Sequence, residues 1–119
     1  MTTKLLLKSA SAASSAGVNI SDVFNVTLYD GTAATNTINT GIDFSSDGGL
    51  AWFKQRTGNN AHDLYDTERG NTKELNANSG VNQSTETGLT SFNNNGVTLS
   101  SSANQNSSGL PYVLFFFFF

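Results

Sequence analysis

The chain has 119 residues, the length of a single domain, and 55 of them are Ser, Thr, Asn or Gly. Charged residues make up 13% and the net charge is −3. The absence of cysteine excludes disulfides and thiolate chemistry, and a single histidine excludes a multi-histidine metal site. Six Lys and Arg residues are too few for nucleic-acid binding. We therefore expect no cofactor, no metal and no nucleic-acid partner.

Residues 1–22 are predicted to form an N-terminal arm, followed by one domain over residues 23–119. Only Ser, Ala and Gly occupy residues 9–17, a composition typical of flexible linkers. The apolar run Leu5–Leu7 is shorter than the ~7–15 residues of a signal-peptide core. The longest apolar run, Tyr112–Phe119, is shorter than the ~20 residues that span a bilayer. We expect synthesis in the cytoplasm without an export signal, and no membrane insertion.

The domain is predicted to be all-β, with seven or eight short antiparallel strands in a β-sandwich or jelly-roll-like fold. Segments with a two-residue apolar period or a continuous apolar run, separated by turn residues, predict the strands. In chain order they are 23–28, 35–42, 50–53, 62–66, 72–76, 89–99 (two strands) and 110–119. The polar segments 76–88 and 100–109 show no period and are predicted to be loops.

Several details of these strands are specific enough to compare with a structure. Phe24, Val26 and Leu28 alternate with polar residues and predict one apolar face of a half-buried strand. The segment Leu50–Phe53 is apolar on both faces, which is typical of a central strand, whereas 72–76 is predicted at an edge. Asn95-Gly96 predicts a type I′ turn, because both residues tolerate positive φ.

The densest polar cluster, residues 62–70, has two interpretations. Asp66 and Glu68 share one face of a strand and could form the acid/base pair of a glycosidase. The sequence favours a turn instead, in which Asp66 accepts backbone N–H groups and pairs with Arg69, ahead of Gly70. His62 has no nucleophile pattern around it. We therefore predict no catalytic residue.

Two further residue sets are weaker candidates for binding. Asp43 and Asp47 could supply oxygen ligands to calcium, but they lack the alternating acidic ligands of a dedicated site, so surface turn residues are favoured. Trp52 could stack on a sugar if it were exposed, with Tyr65 as a second aromatic contact. The apolar surroundings of Trp52 and Phe53 favour the core for both.

Ordered motifs along the chain resemble a known family. They are Leu28-Tyr-Asp-Gly31, Gly41-Ile-Asp43, Gly49-Leu-Ala-Trp-Phe-Lys-Gln-Arg56, His62-x-Leu-Tyr-Asp-Thr-x-Arg-Gly70, Leu89-Thr-Ser-Phe-x-x-x-Gly-Val-Thr-Leu99 and Tyr112-Val113. The stretch 23–114 resembles Gly/Asn/Ser-rich β domains of tailed bacteriophages of marine and freshwater bacteria, known as tail-fibre or virion structural proteins. The resemblance implies a virion component made without a signal peptide, and not an enzyme.

The C-terminus departs from that family, whose members follow Tyr-Val with alternating Trp and other aromatic or basic residues. This chain continues from Leu114 into five Phe residues, 115–119. Exposed, such a run would promote aggregation. Two interpretations remain: the run pairs into a sheet or a subunit interface, or the five residues are not the natural end. For the first, Tyr112, Val113, Leu114 and Phe115 are the predicted interface residues.

Three functions are compatible with these observations. The first is a structural subunit of a phage fibre, spike or capsid decoration, which forms a homo-oligomer with itself and contacts other virion proteins. The second is a carbohydrate-binding module for a host surface glycan, using loops 76–88 and 100–109 together with an aromatic ring. The third is a cellular extracellular filament that polymerises by strand addition through its arm or its C-terminal strand.

Overall fold

The computed structural model describes residues 17, 19–46, 48–60 and 62–118. These residues form an all-β sandwich of two antiparallel sheets, as the sequence predicts. The predicted arm lies mostly outside the described residues. Its last residues enter a one-turn helix, α1, at Ile20–Val23. Helix α1 leads directly into the first strand.

Nine strands follow α1, and a short 3-10 helix at Asn104–Asn106 precedes the last of them. The strands are β1 Phe24–Asp30, β2 Asn36–Asn39, β3 Gly49–Gln55, β4 His62–Asp66, β5 Lys73–Asn76, β6 Ser84–Thr85, β7 Leu89–Asn93, β8 Gly96–Leu99 and β9 Pro111–Phe118. Eight of them coincide with predicted segments, although β1 and β3 extend one or two residues beyond the predicted bounds. The ninth, β6, interrupts the predicted loop 76–88 with two residues that pair with β5.

The larger sheet has the strand order β1-β9-β3-β4-β5-β6. The last strand of the chain therefore lies between β1 and β3, with Phe115 paired to Val26 on one side and to Trp52 on the other. Strand β3 is central, as its apolar sequence predicts. Strand β5 is not the predicted edge, because β6 continues the sheet beyond it.

The core lies between this sheet and the smaller sheet, whose order is β2-β8-β7. The larger sheet contributes the inward-facing side chains of alternate residues on β3 and β9, among them Phe53, Leu114 and Phe116. The smaller sheet contributes Ile38, Val97 and Leu99 on its strands. The partly buried rings of Tyr29 on β1 and Phe92 on β7 pack against this core.

The first strand presents the opposite face from the one its pattern predicts. Phe24, Val26 and Leu28 point to the outside of the larger sheet, with Val26 41% and Leu28 59% exposed. Tyr29 points inward, where its ring stacks on Tyr112 with centroids 5.3 Å apart. The two-residue period predicted the strand correctly, but the face that points to the core is the one with Tyr29 and not the one with Val26 and Leu28.

Candidate functional site

Ten apolar side chains line the outside of the larger sheet, and none of them is fully buried. We call this surface the outer face. It comprises Phe24, Val26, Leu28, Leu50, Trp52, Leu64, Leu75, Val113, Phe115 and Phe117. Cross-strand neighbours contact one another, as Phe24 and Phe117 do with ring centroids 4.9 Å apart. The outer face is thus one continuous apolar surface across five strands.

Trp52 lies on the outer face and not in the core, which corrects the placement favoured by its sequence surroundings. Its ring is half-buried between Phe115 and His62, with centroids 5.3 Å and 5.6 Å away. The indole N–H donates to His62 Nδ1 at 3.1 Å. Phe53, one residue further, is in the core as predicted. Adjacent strand residues point to opposite faces, so the pair could not both be buried on the same side.

The second candidate surface is a polar cavity of about 550 Å³ on the inner side of β4 and β5. We call it the acidic cleft. The two polar segments that were predicted to be loops both reach it, 76–88 through Asn82 and Glu86, and 100–109 through Asn104 and Gln105. Sheet residues complete its wall, notably Asp63 on β4 and Glu74 on β5. The structure therefore brings two separate loops to one concave site.

Two carboxylates and two amides form a buried cluster in this cleft. The Gln105 amide nitrogen donates to Asp63 Oδ2 at 2.6 Å and to Glu74 Oε2 at 3.3 Å. The Asn76 amide nitrogen donates to Asp63 Oδ1 at 2.8 Å and to Glu74 Oε1 at 3.2 Å. The Tyr65 hydroxyl also donates to Glu74. Five hydrogen bonds thus hold two negative groups side by side.

Burial perturbs the ionisation of these groups. The pKa of Asp63 rises to about 6, mainly because burial disfavours its charged form. The nearby Glu74 and Glu86 carboxylates raise the same pKa, while hydrogen bonds from Gln105 and Asn76 oppose the shift. Burial, with the hydrogen bond to Glu74, raises the pKa of Tyr65 far above its usual value. Tyr65 therefore remains a hydrogen-bond donor at any physiological pH.

The structure brings Asp66 and Arg69 together in a turn. Asp66 accepts the Arg69 backbone N–H at 2.7 Å and the guanidinium at 2.5 Å. Gly70 follows with φ of +94°, and its N–H donates to the Asp66 carbonyl at 3.0 Å. The Asp66 carboxylate is committed to this turn, and Glu68 is exposed. This geometry accounts for the contacts of Asp66 with Arg69 and Gly70.

Three residues proposed for binding or subunit contact are instead internal. Tyr65 is 1% exposed and therefore cannot present its ring to a sugar. Tyr112 is 1% and Leu114 0% exposed, because alternate residues of β9 face the core. They do not form a subunit surface, whereas Val113 and Phe115 lie on the outer face. Strand β9 is hydrogen-bonded on both sides, so it offers no free edge to donate to a neighbouring subunit.

The carboxylate of Asp43 caps a turn. It accepts hydrogen bonds from the backbone and hydroxyl groups of both Ser45 and Ser46, between 2.5 and 3.1 Å. Although partial burial raises its pKa, these bonds lower it to about 2. Asp47 lies outside the described residues. In the part of the chain that the structure describes, no three His, Cys, Asp or Glu residues are grouped to hold a metal ion.

Apart from Asp63 in the polar cluster 62–70, no motif in the sequence indicates the residues of the cleft. Glu74 and Gln105 are 31 residues apart, and Asp63 and Gln105 are 42 apart. Neither spacing matches a motif. Asn106, 0% exposed beside the cleft, is equally inconspicuous among 15 asparagines. The one available signal was the amide-rich composition of segments 76–88 and 100–109.

An all-β sandwich with an apolar outer face and an acidic cleft defines a compact β domain with two candidate surfaces for recognition. The chain belongs to the family described as "Domain of unknown function (DUF7483)", whose model matches residues 19–116. Comparisons with curated proteins and with solved structures gave no match. The two helices in the described part of the chain have four and three residues, too few to span a membrane.

Proposed function

We propose that this protein is a non-enzymatic structural subunit of a bacteriophage virion, in a tail fibre, a spike or a capsid decoration, and that it acts as a homo-oligomer. The observation that carries the oligomer is the outer face, because a continuous apolar surface on a soluble domain is typical of an association site. The resemblance of the ordered motifs to phage β domains supports the virion context.

A second copy of the chain is the partner that suits the outer face. In a two-fold dimer both copies use the same surface, so an apolar face packs against an apolar face. Ten apolar side chains satisfy this condition, whereas a strongly charged face would repel itself. Three charged residues share this side of the sheet, Asp30, Lys54 and Lys73. The Lys54 ammonium donates to the Asn60 carbonyl at 3.0 Å, and the Lys73 ammonium donates to the Thr85 hydroxyl at 2.9 Å. Association through this face would therefore cover mainly apolar area, and both lysine ammonium groups on it already have hydrogen-bond partners within the chain.

We predict that the purified chain is oligomeric at about 10 μM, a concentration at which even micromolar interfaces are populated. Leu28→Lys should weaken the association at least about tenfold, because it would bury an unpaired ammonium in the interface. Val81→Lys is the matched control, since Val81 is also exposed (62%) but lines the acidic cleft. Light scattering measures the mass. A folded wild-type monomer, or equal effects of the two substitutions, would contradict the proposed oligomer.

The virion context has its own test. Mass spectrometry of purified particles from the encoding phage should detect this chain in a stoichiometric amount. The neighbouring genes should include terminase, portal and capsid genes. Absence of the chain from the particles, or a cellular gene neighbourhood, would contradict the virion proposal and would leave the oligomer proposal intact.

Carbohydrate recognition is the second candidate function, and the acidic cleft favours it. Carboxylate and amide groups are the usual partners of sugar hydroxyls, and the cavity falls within the ~300–1,000 Å³ typical of small-molecule sites. The cleft differs from the predicted glycan site, because Trp52 lies on the other side of the sheet and the Tyr65 ring is buried. For a sugar bound in the acidic cleft, the two loops would contact the ligand, and stacking on an aromatic ring would not be required.

A further inference from the structure

We infer that the acidic cleft binds an ammonium group carried on a hydroxylated carbon skeleton, the chemistry of an amino sugar. This inference rests on carbohydrate recognition as a function of the cleft and names the class of sugar. Three features of the cleft support it: its hydrogen-bond donors and acceptors, one unpaired buried oxygen, and the charge of its lining.

In the cluster of the cleft, every side-chain N–H and O–H group already donates a hydrogen bond, whereas the carboxylate oxygens can still accept. The side-chain amide groups of Gln105 and Asn76 each have two N–H bonds, and all four donate to Asp63 or Glu74. The Tyr65 hydroxyl hydrogen also goes to Glu74. Each carboxylate oxygen can accept more than one hydrogen bond. The chemical group that suits this arrangement is therefore a donor.

One buried acceptor has no partner at all. The side-chain carbonyl oxygen of Gln105 accepts no hydrogen bond, although the residue is only 2% exposed. An unsatisfied buried carbonyl is energetically unfavourable, so a hydrogen-bond donor from a ligand would stabilise it. Its orientation is fixed, because turning the amide over would point the oxygen at two carboxylates.

Gln105 also lines a second, smaller cavity of about 110 Å³, and its unpaired oxygen lies near another lining residue of that cavity. The oxygen is close to Gly88, where a Cβ atom would approach it to 3.3 Å. Both cavities are lined by Glu74, Glu86, Asn104 and Gln105, so they adjoin at the cluster. The smaller one has room for an ammonium group with one or two waters, since a water occupies about 30 Å³. The larger one suits a sugar ring.

The charge of the lining favours a cation over a neutral hydroxyl. Asp63, Glu74 and Glu86 line the cleft, and none of its described lining residues is Lys, Arg or His. An ammonium group would donate three hydrogen bonds and offset negative charge that has no basic partner in the lining. Carboxylates and amides along the larger cavity would then accept from the ring hydroxyls. These features together select a hydroxylated amine.

The test is calorimetric titration of the full chain with D-glucosamine, D-glucose and N-acetylglucosamine near neutral pH. Glucosamine should bind at least about tenfold more tightly than the other two, which lack the positive charge. Glu86→Gln should reduce glucosamine affinity about tenfold, since it removes one charge from the cavity wall. Glu68→Gln removes the same charge from an exposed site outside the cleft and should change nothing.

The outcomes separate the inference from the function on which it rests. Equal binding of glucosamine and glucose would overturn the ammonium site and leave carbohydrate recognition standing. No binding of any sugar up to about 10 mM would overturn both. Putrescine binding as tightly as glucosamine would overturn the requirement for a hydroxylated skeleton. The variant Gln105→Leu tests the unpaired oxygen, and thermal unfolding checks that the variant is folded. A folded variant that binds glucosamine with full affinity would show that this oxygen does not contact the ligand.

Discussion

Asn106 is a buried polar residue that links two loops at one end of the sandwich. Its side-chain oxygen accepts the Thr32 backbone N–H at 2.9 Å and the Asn36 amide at 3.0 Å. Its side-chain nitrogen donates to the carbonyls of Ala34 and Ser100, at 2.6 and 2.9 Å. The loops have no strand pairing here, so one amide supplies the hydrogen bonds that a β-ladder would otherwise provide. Asn106 thereby helps to position the 3-10 helix that carries Gln105.

We predict that Asn106→Ala lowers the free energy of unfolding by about 3 kcal/mol, because it removes the four hydrogen bonds that a fully buried side-chain amide makes to both loops. The exposed Asn59 serves as control, and Asn59→Ala should change stability by less than about 0.5 kcal/mol. Urea unfolding followed by circular dichroism measures both. A loss below about 1 kcal/mol at Asn106 would show that water replaces its hydrogen bonds at little cost.

The hairpin between β7 and β8 shows how one glycine shapes an element. Asn93 pairs with Gly96, so Asn94 and Asn95 occupy the turn, and the predicted type I′ turn at Asn95-Gly96 is wrong. Neither of these two residues has positive φ. Gly96 belongs to strand β8, with φ of +148°, and a Cβ there would lie 2.0 Å from the Ile38 carbonyl oxygen. The glycine is needed for the close approach of two strands, not for the turn.

Gly96→Ala should therefore destabilise the smaller sheet by about 3 kcal/mol or more, because the new methyl group meets backbone that cannot rotate away. Gly80→Ala is the matched control, since a Cβ at Gly80 would have nothing within 4 Å. It should stay within about 0.5 kcal/mol of the wild type. Thermal unfolding compares the two. Equal melting temperatures for the variants would mean that β2 and β8 separate without cost.

The strands themselves could be predicted from the sequence, because the two-residue period and the turn residues are local. Which face of a strand points inward could not be predicted for β1. Its local pattern favoured Phe24, Val26 and Leu28, but β9 decides the outcome by placing Tyr112 beside Tyr29 on the inner side. This pairing joins residues more than 80 positions apart. The period gives two faces, and long-range contacts select between them.

The acidic cleft could not be predicted from local sequence patterns either, because long-range contacts assemble it. Asp63 was visible in a polar cluster, but of the residues that hold it, Asn76 is the last residue of a predicted strand and Gln105 comes from a segment without any period. Their partners are fixed by the pairing of β4 with β5 and by the loop that precedes β9. Asp66 and Arg69 were accessible to sequence reasoning, since their contact spans three residues and needs only a turn.

At the scale of the whole molecule, the cleft has a stability cost that depends on pH. In the folded chain the pKa of Asp63 is about 6, whereas its ordinary value is 3.8. Between these values the folded protein retains a proton that the unfolded chain has already released. Stability must therefore fall as pH rises from about 4 to about 6. Asp43 acts in the opposite direction, since its folded pKa of about 2 makes stability fall as pH drops below about 4.

We predict that the free energy of unfolding falls between pH 4 and pH 6, by at most about 3 kcal/mol from Asp63, the equivalent of about two pKa units. Asp63→Asn should flatten the curve in this window. Asp43→Asn is the matched control, and it should retain the fall between pH 4 and 6 while losing the rise between pH 2 and 4. Urea unfolding at half-unit pH steps measures the slopes, so a uniform shift in stability does not affect the comparison. An unchanged slope in Asp63→Asn would place the responsible proton on another group and would remove the buried carboxylate of the cleft as the cause.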